Sequence, residues 1–227
     1  MREIVLDTET TGLDHRNGDR IIEIACIELM NHLPTSRVWQ KFVNPEREVG
    51  VAAIDVHGIT DSFLKDKPVF AEVVSEFIEF IGDSVLVAHN AEFDMGFINA
   101  ELTRLGFAKL GAARSLCTVQ LARRKFPGSP AGLDALCKRF NIDNSARTKH
   151  GALLDAELLC EVYLELVGGR QAGLELVGDG AGIVATNIAP SPDAPIHPKR
   201  PHAPSAAELA AHAALLDQLS NPLWRRG

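Results

Sequence analysis

The stretch Glu3-Ile4-Val5-Leu6-Asp7-Thr8-Glu9-Thr10-Thr11-Gly12 decides the fold. Its apolar run Ile4-Val5-Leu6 is unbroken, as in a central strand buried on both faces. Asp7 and Glu9 follow at a spacing of two, so on an extended chain both side chains point to one face. Two carboxylates facing one way at the end of a central strand repel each other, and each loses hydration. Bound Mg²⁺ or Mn²⁺ relieves both costs, because hard cations take oxygen ligands. The competing reading is a pair of solvated surface charges on an edge strand, which the apolar run disfavours.

Outward from this strand, residues 21–29 form a second apolar run with period-two character. Residues 37–43 form a third, ended by Asn44-Pro45. The links are too short for crossover helices, so the three strands read as an antiparallel meander. A helix is expected over 70–81, with Phe70, Val73, Val74, Phe77, Ile78 and Ile81 on one face. A buried strand at 85–88, a helix at 91–105 and a short strand at 114–117 come next. Helices at 118–125, 132–139 and 148–167 complete the pattern. Meandering strands followed by alternating helices and strands define an α/β fold, a five-stranded mixed sheet flanked by helices.

Two further runs carry chemistry. In His89-Asn90-Ala91-Glu92-Phe93-Asp94 a strand passes into a helix. Glu92 suits the positive end of the helix dipole, Asp94 is free to turn back over the sheet end, and Asn90 is an N-cap candidate. In His150-Gly151-Ala152-Leu153-Leu154-Asp155 the two polar residues are five apart on the helix expected over 148–167. Five residues turn about 500°, which leaves them about 140° apart. Asp155 then faces the carboxylates while His150 leans over them from the helix start. The alternative for His150 is a solvated or capping residue. Imidazole accepts a proton near neutral pH, so it fits a base that handles water. Four carboxylates, a histidine and two divalent ions together outline phosphodiester hydrolysis.

The bulk properties set bounds. The formal net charge of -7 argues against a broad nucleic-acid-binding face, although bound metal inverts the field at an acidic site. No apolar stretch is long enough to span a membrane. Met1-Arg2-Glu3 runs straight into a strand, without the layout of a signal peptide. Cys26, Cys117, Cys137 and Cys160 form no close pair and read as buried reduced thiols, so a cytoplasmic protein is expected.

The character changes after Gly168-Gly169. Residues 178–206 are rich in Gly, Ala and Pro and cannot build a core. A last helix is expected from 205 to 219, with Ser205 and Glu208 as a capping box. Its Leu209, Leu215, Leu216 and Leu219 give an apolar face, and Pro222-Leu223-Trp224 follows. An isolated helix this short is marginal in water, which suggests docking onto a partner. Folding back on its own domain is the alternative.

The runs Asp-x-Glu-Thr-Thr-Gly at 7–12, His-Asn-x-x-Phe-Asp at 89–94 and His-x-x-x-x-Asp at 150–155 resemble the three motifs of the DEDDh 3′–5′ exonucleases. The resemblance spans roughly residues 2–168 and is nearest to the proofreading epsilon subunits of bacterial DNA polymerase III. It implies a ribonuclease H-like fold. It also implies two Mg²⁺ or Mn²⁺ ions, with Asp7 bridging them, Glu9 and Asp155 on the ion that carries the attacking water, and Asp94 on the other. His150 would be the base. Thr10, Thr11, Gly12, Leu13 and His57, with Asn90 and Phe93 of the second motif, would line the pocket for the terminal nucleotide. Leu13 and His57 also admit ordinary structural readings.

Beyond residue 168, Gln171, Leu174 and Leu176 resemble a sliding-clamp-binding peptide, although Leu176 stands where an aromatic is usual. Leu215, Leu216, Leu223 and Trp224 resemble the segment that binds the polymerase III alpha subunit. The implied layout is a nuclease domain at 1–168, a linker with a clamp-binding segment at 169–204, and a polymerase-binding helix and tail at 205–227. The implied partners are a single-stranded 3′ end of DNA, the alpha subunit, the clamp and a small stabilising subunit. A stand-alone exoribonuclease or oligoribonuclease would use the same carboxylates but gives the tail no purpose. A clamp–polymerase adaptor gives the site residues none.

Overall fold

The computed structural model describes residues 1–168 and 203–218. The chain divides into two units, and the second holds only the terminal helix among the described residues.

The first unit is built on five strands: β1 (Arg2–Thr10), β2 (Ile21–Met30), β3 (Leu33–Phe42), β4 (Val85–Ala88) and β5 (Ser115–Cys117). Their order is β3-β2-β1-β4-β5, so β1 is central as its apolar run requires. The first three strands form the antiparallel meander, and β4 and β5 add in parallel. Asn31 and His32, at φ 52° and 67°, close a two-residue hairpin whose backbone matches the strand twist. Pro34 is tolerated because β3 is an edge strand.

The helices of this unit are α1 (Val51–His57), α2 (Asp61–Leu64), α3 (Phe70–Ile81), α4 (Ala91–Arg104), α5 (Thr118–Lys125), α6 (Leu133–Phe140) and α7 (Ala152–Leu166). Side chains along β1 alternate between the two layers. Ile4 and Leu6 pack with Phe70, Phe77 and Phe97 of α3 and α4. Val5 packs with Leu136, Leu159 and Tyr163 of α6 and α7. Continued to the end of the strand, this alternation places Asp7 and Glu9 on the α7 side and Thr8 on the α4 side. One buried polar cluster ties the layers: Tyr163 Oη donates to Glu3 Oε1 at 2.6 Å, and His32 Nδ1 lies 2.7 Å from Glu3 Oε2.

Several boundaries differ from expectation. β1 runs on to Thr10, because its pairing with β2 continues through Glu9↔Glu23 to a bulge at Thr10. Helices α1 and α2 were not expected in the region between Asn44 and Pro68. They are short, and α1 is stopped by Gly58 in the left-handed region at φ 76°. The last helix of the unit begins at Ala152, not at 148. Gly151, extended at φ -163° and ψ 129°, is its N-cap. All four cysteines are free, with Cys26, Cys137 and Cys160 buried and Cys117 only partly covered.

In the second unit, α8 (Ala206–Gln218) starts with the expected capping box. Ser205 donates from both N and Oγ to Glu208 Oε2 at 2.7 Å, and Glu208 N donates back to Ser205 Oγ at 3.3 Å. Among the described residues, no helix is long and apolar enough to cross a membrane.

Candidate active site

β1, β4 and β5 run parallel, and their carboxyl ends define one rim of the sheet. β4 stops at Ala88, while β1 continues past its last pairing with β4, Val5↔Val87, to Thr10. The overhang opens a cleft of about 560 Å³ at the position where open parallel sheets bind ligands. Asp7, Glu9, Asp94, His150 and Asp155 all line it.

Two helix starts deliver the more distant carboxylates. Asp94, in the first turn of α4, is 2% exposed and accepts from Thr8 Oγ1 at 2.7 Å, while Glu92 points to solvent. Asp155, in the first turn of α7, is 4% exposed. Asn90 occupies the N-cap position of α4, but its side chain makes no capping bond. Its contribution is a left-handed backbone, φ 72° and ψ 51°, which turns the chain sharply from strand to helix.

The carboxylates cannot all be ionised without help. Burial, then the charges of Asp94, Glu9, Asp155 and Glu23, push Asp7 well above the usual carboxylate range. Burial together with Asp155 and Glu23 raises Glu9 to about 8, with Arg147 opposing. Burial raises Asp94 to about 7 against the stabilising bond from Thr8. A buried, oxygen-only, mutually repelling set fits hard divalent cations. Glu9, Asp155 and His150 offer ligand atoms within 4.8 Å of one another, one candidate metal cluster among the described residues. Asp7 and Asp94 are not part of that trio.

His150 is not on a helix, so the rotation expected between it and Asp155 does not apply. It lies in the non-helical segment just before α7, where His150 N donates to Val56 O of α1 at 3.2 Å. Its side chain is 48% exposed, and Nδ1 lies 3.4 Å from Asp155 Oδ2. It still reaches the site from the edge.

Sequence reasoning missed four groups here. Arg147 grips Asp155 with two bonds, from Nε at 2.5 Å and Nη2 at 2.8 Å. Glu23, 3% exposed on β2, accepts from Gln40 Nε2 at 2.6 Å and from Ala152 N at 3.1 Å, so it caps α7 at a free helix N–H. A lone acid inside the apolar run Ile21-Ile22-Glu23-Ile24 was the available signal. Thr8 was passed over between the two acids. His89 also lines the cleft, with Nδ1 2.9 Å from Thr118 Oγ1. Burial and the nearby Arg147 hold its pKa below the usual histidine value.

The residues expected to meet the nucleotide also line the cleft: Thr10, Thr11, Gly12, Leu13, His57, Asn90 and Phe93. Both threonine hydroxyls are engaged within the turn, Thr10 with Gly12 O at 2.5 Å and Thr11 with Asp19 Oδ1 at 3.1 Å. A Cβ at Gly12 would collide with the Asp19 carboxylate, which Thr11 Oγ1 and Asp14 N hold in place, so a larger residue would have to displace it. Leu13 is 85% exposed on the rim and is no core residue. His57 is buried, and its Nδ1 accepts from Ile59 N at 3.0 Å. Phe93 packs on Phe97 at 4.8 Å between ring centroids. Of the residues expected to bind partners, Leu215 is exposed and Leu216 half-buried in α8. Gln171, Leu174, Leu176, Leu223 and Trp224 lie outside the described residues.

This fold and this acidic cleft define a metal-dependent 3′–5′ exonuclease. The exonuclease family model matches residues 4–163, and the chain belongs to that family, in its DEDDh branch. Within the branch it is closely related to the epsilon subunits of DNA polymerase III. It is 52% identical over 192 residues to that subunit from Rickettsia conorii, covering 82% of this chain and 84% of the relative. Among solved structures, it is similar to exonuclease X in complex with 5′-overhanging duplex DNA, at TM-score 0.56 and 26% identity, over 72% of this chain and 90% of that one. The nuclease domain of 3′hExo, a DEDDh family member bound to rAMP, shares the fold at TM-score 0.62 and 18% identity, over 73% and 91%.

Proposed function

We propose that the chain is the proofreading subunit of a replicative DNA polymerase, a 3′–5′ exodeoxyribonuclease that removes misincorporated nucleotides from a primer end. The observation that carries this reading is the convergence of Asp7, Glu9, Asp94, Asp155 and His150 on one cleft, in a chain 52% identical to an epsilon subunit.

Asp7, Glu9, Asp94 and Asp155 would hold two divalent ions, Mg²⁺ or Mn²⁺, with Asp7 serving both. When bound, such ions acidify a water and neutralise charge on the phosphate and leaving oxygen. His150 accepts the proton of that water. Its half-exposed ring at the cleft edge keeps a path for passing the proton to solvent. Backbone groups at Thr10, Thr11 and Gly12 receive the 3′ end. Leu13, His57, Asn90 and Phe93 flank the terminal nucleotide. Two ions grip only a single strand entering the cleft, so the primer end frays before it enters. Mismatched ends fray more readily, which gives selectivity without base-specific contacts.

Residues 1–168 then form the nuclease, and 169–204 a linker carrying the clamp-binding segment at Gln171, Leu174 and Leu176. Residues 205–227 bind the polymerase alpha subunit through Leu215, Leu216, Leu223 and Trp224. A small stabilising subunit and a cytoplasmic location belong to the same reading. Tethering raises the concentration of the nuclease at the primer end without any new contact.

Digestion of matched and mismatched primer-templates, with an RNA strand as control, tests the assignment. Faster release from the mismatched DNA end is expected, and Asp7→Ala should abolish Mg²⁺-dependent release. Preference for RNA would point to an exoribonuclease. Unchanged hydrolysis in the Asp7 variant would remove the enzymatic reading altogether.

A further inference from the structure

The site already contains one cation of its own. Arg147 is 9% exposed in its side chain and lines the cleft. Its guanidinium is fully engaged: Nε and Nη2 grip Asp155, Nη2 lies 3.1 Å from His150 Nδ1, and Nη1 bonds Asp134 Oδ2 at 2.9 Å. Asp134 lies away from the acidic set on α6 and is largely exposed, so it serves as an outer tether. One side chain thus fixes both residues of the third motif, the carboxylate and the base.

This arrangement suits the metal-free protein. A planar fork neutralises Asp155 bidentately where a divalent ion would otherwise do so. The arrangement changes once that carboxylate serves a divalent ion, because Arg147 already engages both of its oxygens, Oδ1 from Nε and Oδ2 from Nη2, and the ion competes for them. A released guanidinium in a buried cleft needs another anion. The anion that enters this cleft with the substrate is a phosphate, which matches the fork as well as a carboxylate does.

Resting on the exonuclease reading above, we propose that Arg147 is a positioning residue with two partners. It holds Asp155 and His150 before metal arrives. It passes from Asp155 to a nucleotide phosphate when metal takes the carboxylate, while Asp134 keeps its outer end in place. Metal loading and phosphate binding are thereby coupled through one side chain.

The test is calorimetry on the full chain, with Mn²⁺ alone and then with thymidine 5′-monophosphate, a product that is not turned over, in saturating Mn²⁺. Arg147→Met should bind Mn²⁺ several-fold more tightly, since no internal cation has to be displaced. It should bind the nucleotide roughly tenfold more weakly, as expected for a lost charged hydrogen bond. Arg147→Lys, which keeps the charge but loses the fork, should gain less Mn²⁺ affinity than Arg147→Met and lose less nucleotide affinity. A merely structural role predicts the opposite sign for metal, with weaker Mn²⁺ binding in both variants. That result, or nucleotide affinity unchanged in Arg147→Met, overturns the proposal. A wild-type chain that bound neither Mn²⁺ nor the nucleotide would overturn the exonuclease reading as well.

Discussion

Thr8 Oγ1 donates to Asp94 Oδ1 at 2.7 Å, joining residues 86 apart in sequence. Thr8 stands between Asp7 and Glu9 but faces the other side of the sheet, where α4 packs. The site therefore straddles the end of β1, with Asp7 and Glu9 toward α7 and Asp94 reached over the strand end and pinned there by a buried hydroxyl. Thr8→Val keeps the shape and removes the donor. Groups that orient a metal-binding carboxylate typically affect metal affinity or activity by about 10–100-fold. The expected result is a nuclease that needs correspondingly more Mn²⁺ for half-maximal rate, with a melting temperature close to the wild type. A metal titration of nucleotide release measures this, and an unshifted titration would mean that Asp94 is oriented by other groups.

The raised carboxylates make stability depend on pH in a definite direction. Glu9 is raised to about 8 and Asp94 to about 7, with Asp7 and Glu23 also raised. Unfolded, these groups titrate near ~4. Between these limits the native chain holds protons that the unfolded chain has lost, so its stability falls as pH rises. His57 and His89, both depressed by burial, work the other way, and their effect is spent near their ordinary value of 6.5. The carboxylates alone therefore govern the window from about 6.5 to 8. In chelator the melting temperature should drop across this window. The rise produced by Mn²⁺ should be larger at pH 8 than at pH 6.5, where protons compete with the ion. An equal Mn²⁺ response at the two pH values would argue against a proton-loaded resting site.

How far the sequence reveals this molecule differs from residue to residue. The central strand and the meander were readable because Ile4-Val5-Leu6 and the short links leave few arrangements. Asp94 and Asp155 were readable because each stands five residues after a histidine, in a short run that opens a helix. The start of α7 was misread, since the pattern of 148–151 is compatible with a helix. What excludes helix there is Gly151 in an extended conformation, with Glu23 of another strand capping Ala152 N. Arg147 was invisible for a related reason. Its meaning lies in Asp134 and Asp155, which only the packing of α6 beside α7 brings to it. Helices α1 and α2 are too short for periodicity to register, yet α1 supplies His57 and anchors His150 through Val56.

His150 stands in two relations at once. It is close enough to Glu9 and Asp155 to complete a metal cluster, yet its side chain is about half exposed at the cleft edge. A base and a ligand make different predictions for His150→Ala. Loss of a general base should lower kcat by about 10²–10⁴-fold and leave Mn²⁺ affinity nearly unchanged. Loss of a ligand should weaken Mn²⁺ binding as well. The half-exposed ring favours the base. Parallel measurement of kcat and Mn²⁺ affinity distinguishes the two, and a matched loss in both would assign His150 to the metal.

The terminal helix, in the second unit, is a different problem. α8 has 13 residues, its own capping box and no buried side chain, and Leu209 and Leu215 are each 54% exposed. A helix of that length is marginal in water on its own, and capping adds only about 1 kcal/mol. Exposed leucines on a marginal helix are stabilised by a surface that covers them. Deleting residues 206–227 should therefore leave the rate of nucleotide release by the free protein unchanged and abolish co-purification with the polymerase alpha subunit. Replacing Leu209 and Leu215 together by Ser should weaken that association without shortening the chain. Retained association after the deletion would place the polymerase contact elsewhere on the chain, and a parallel loss of free nuclease activity would mean that the helix supports the catalytic domain itself.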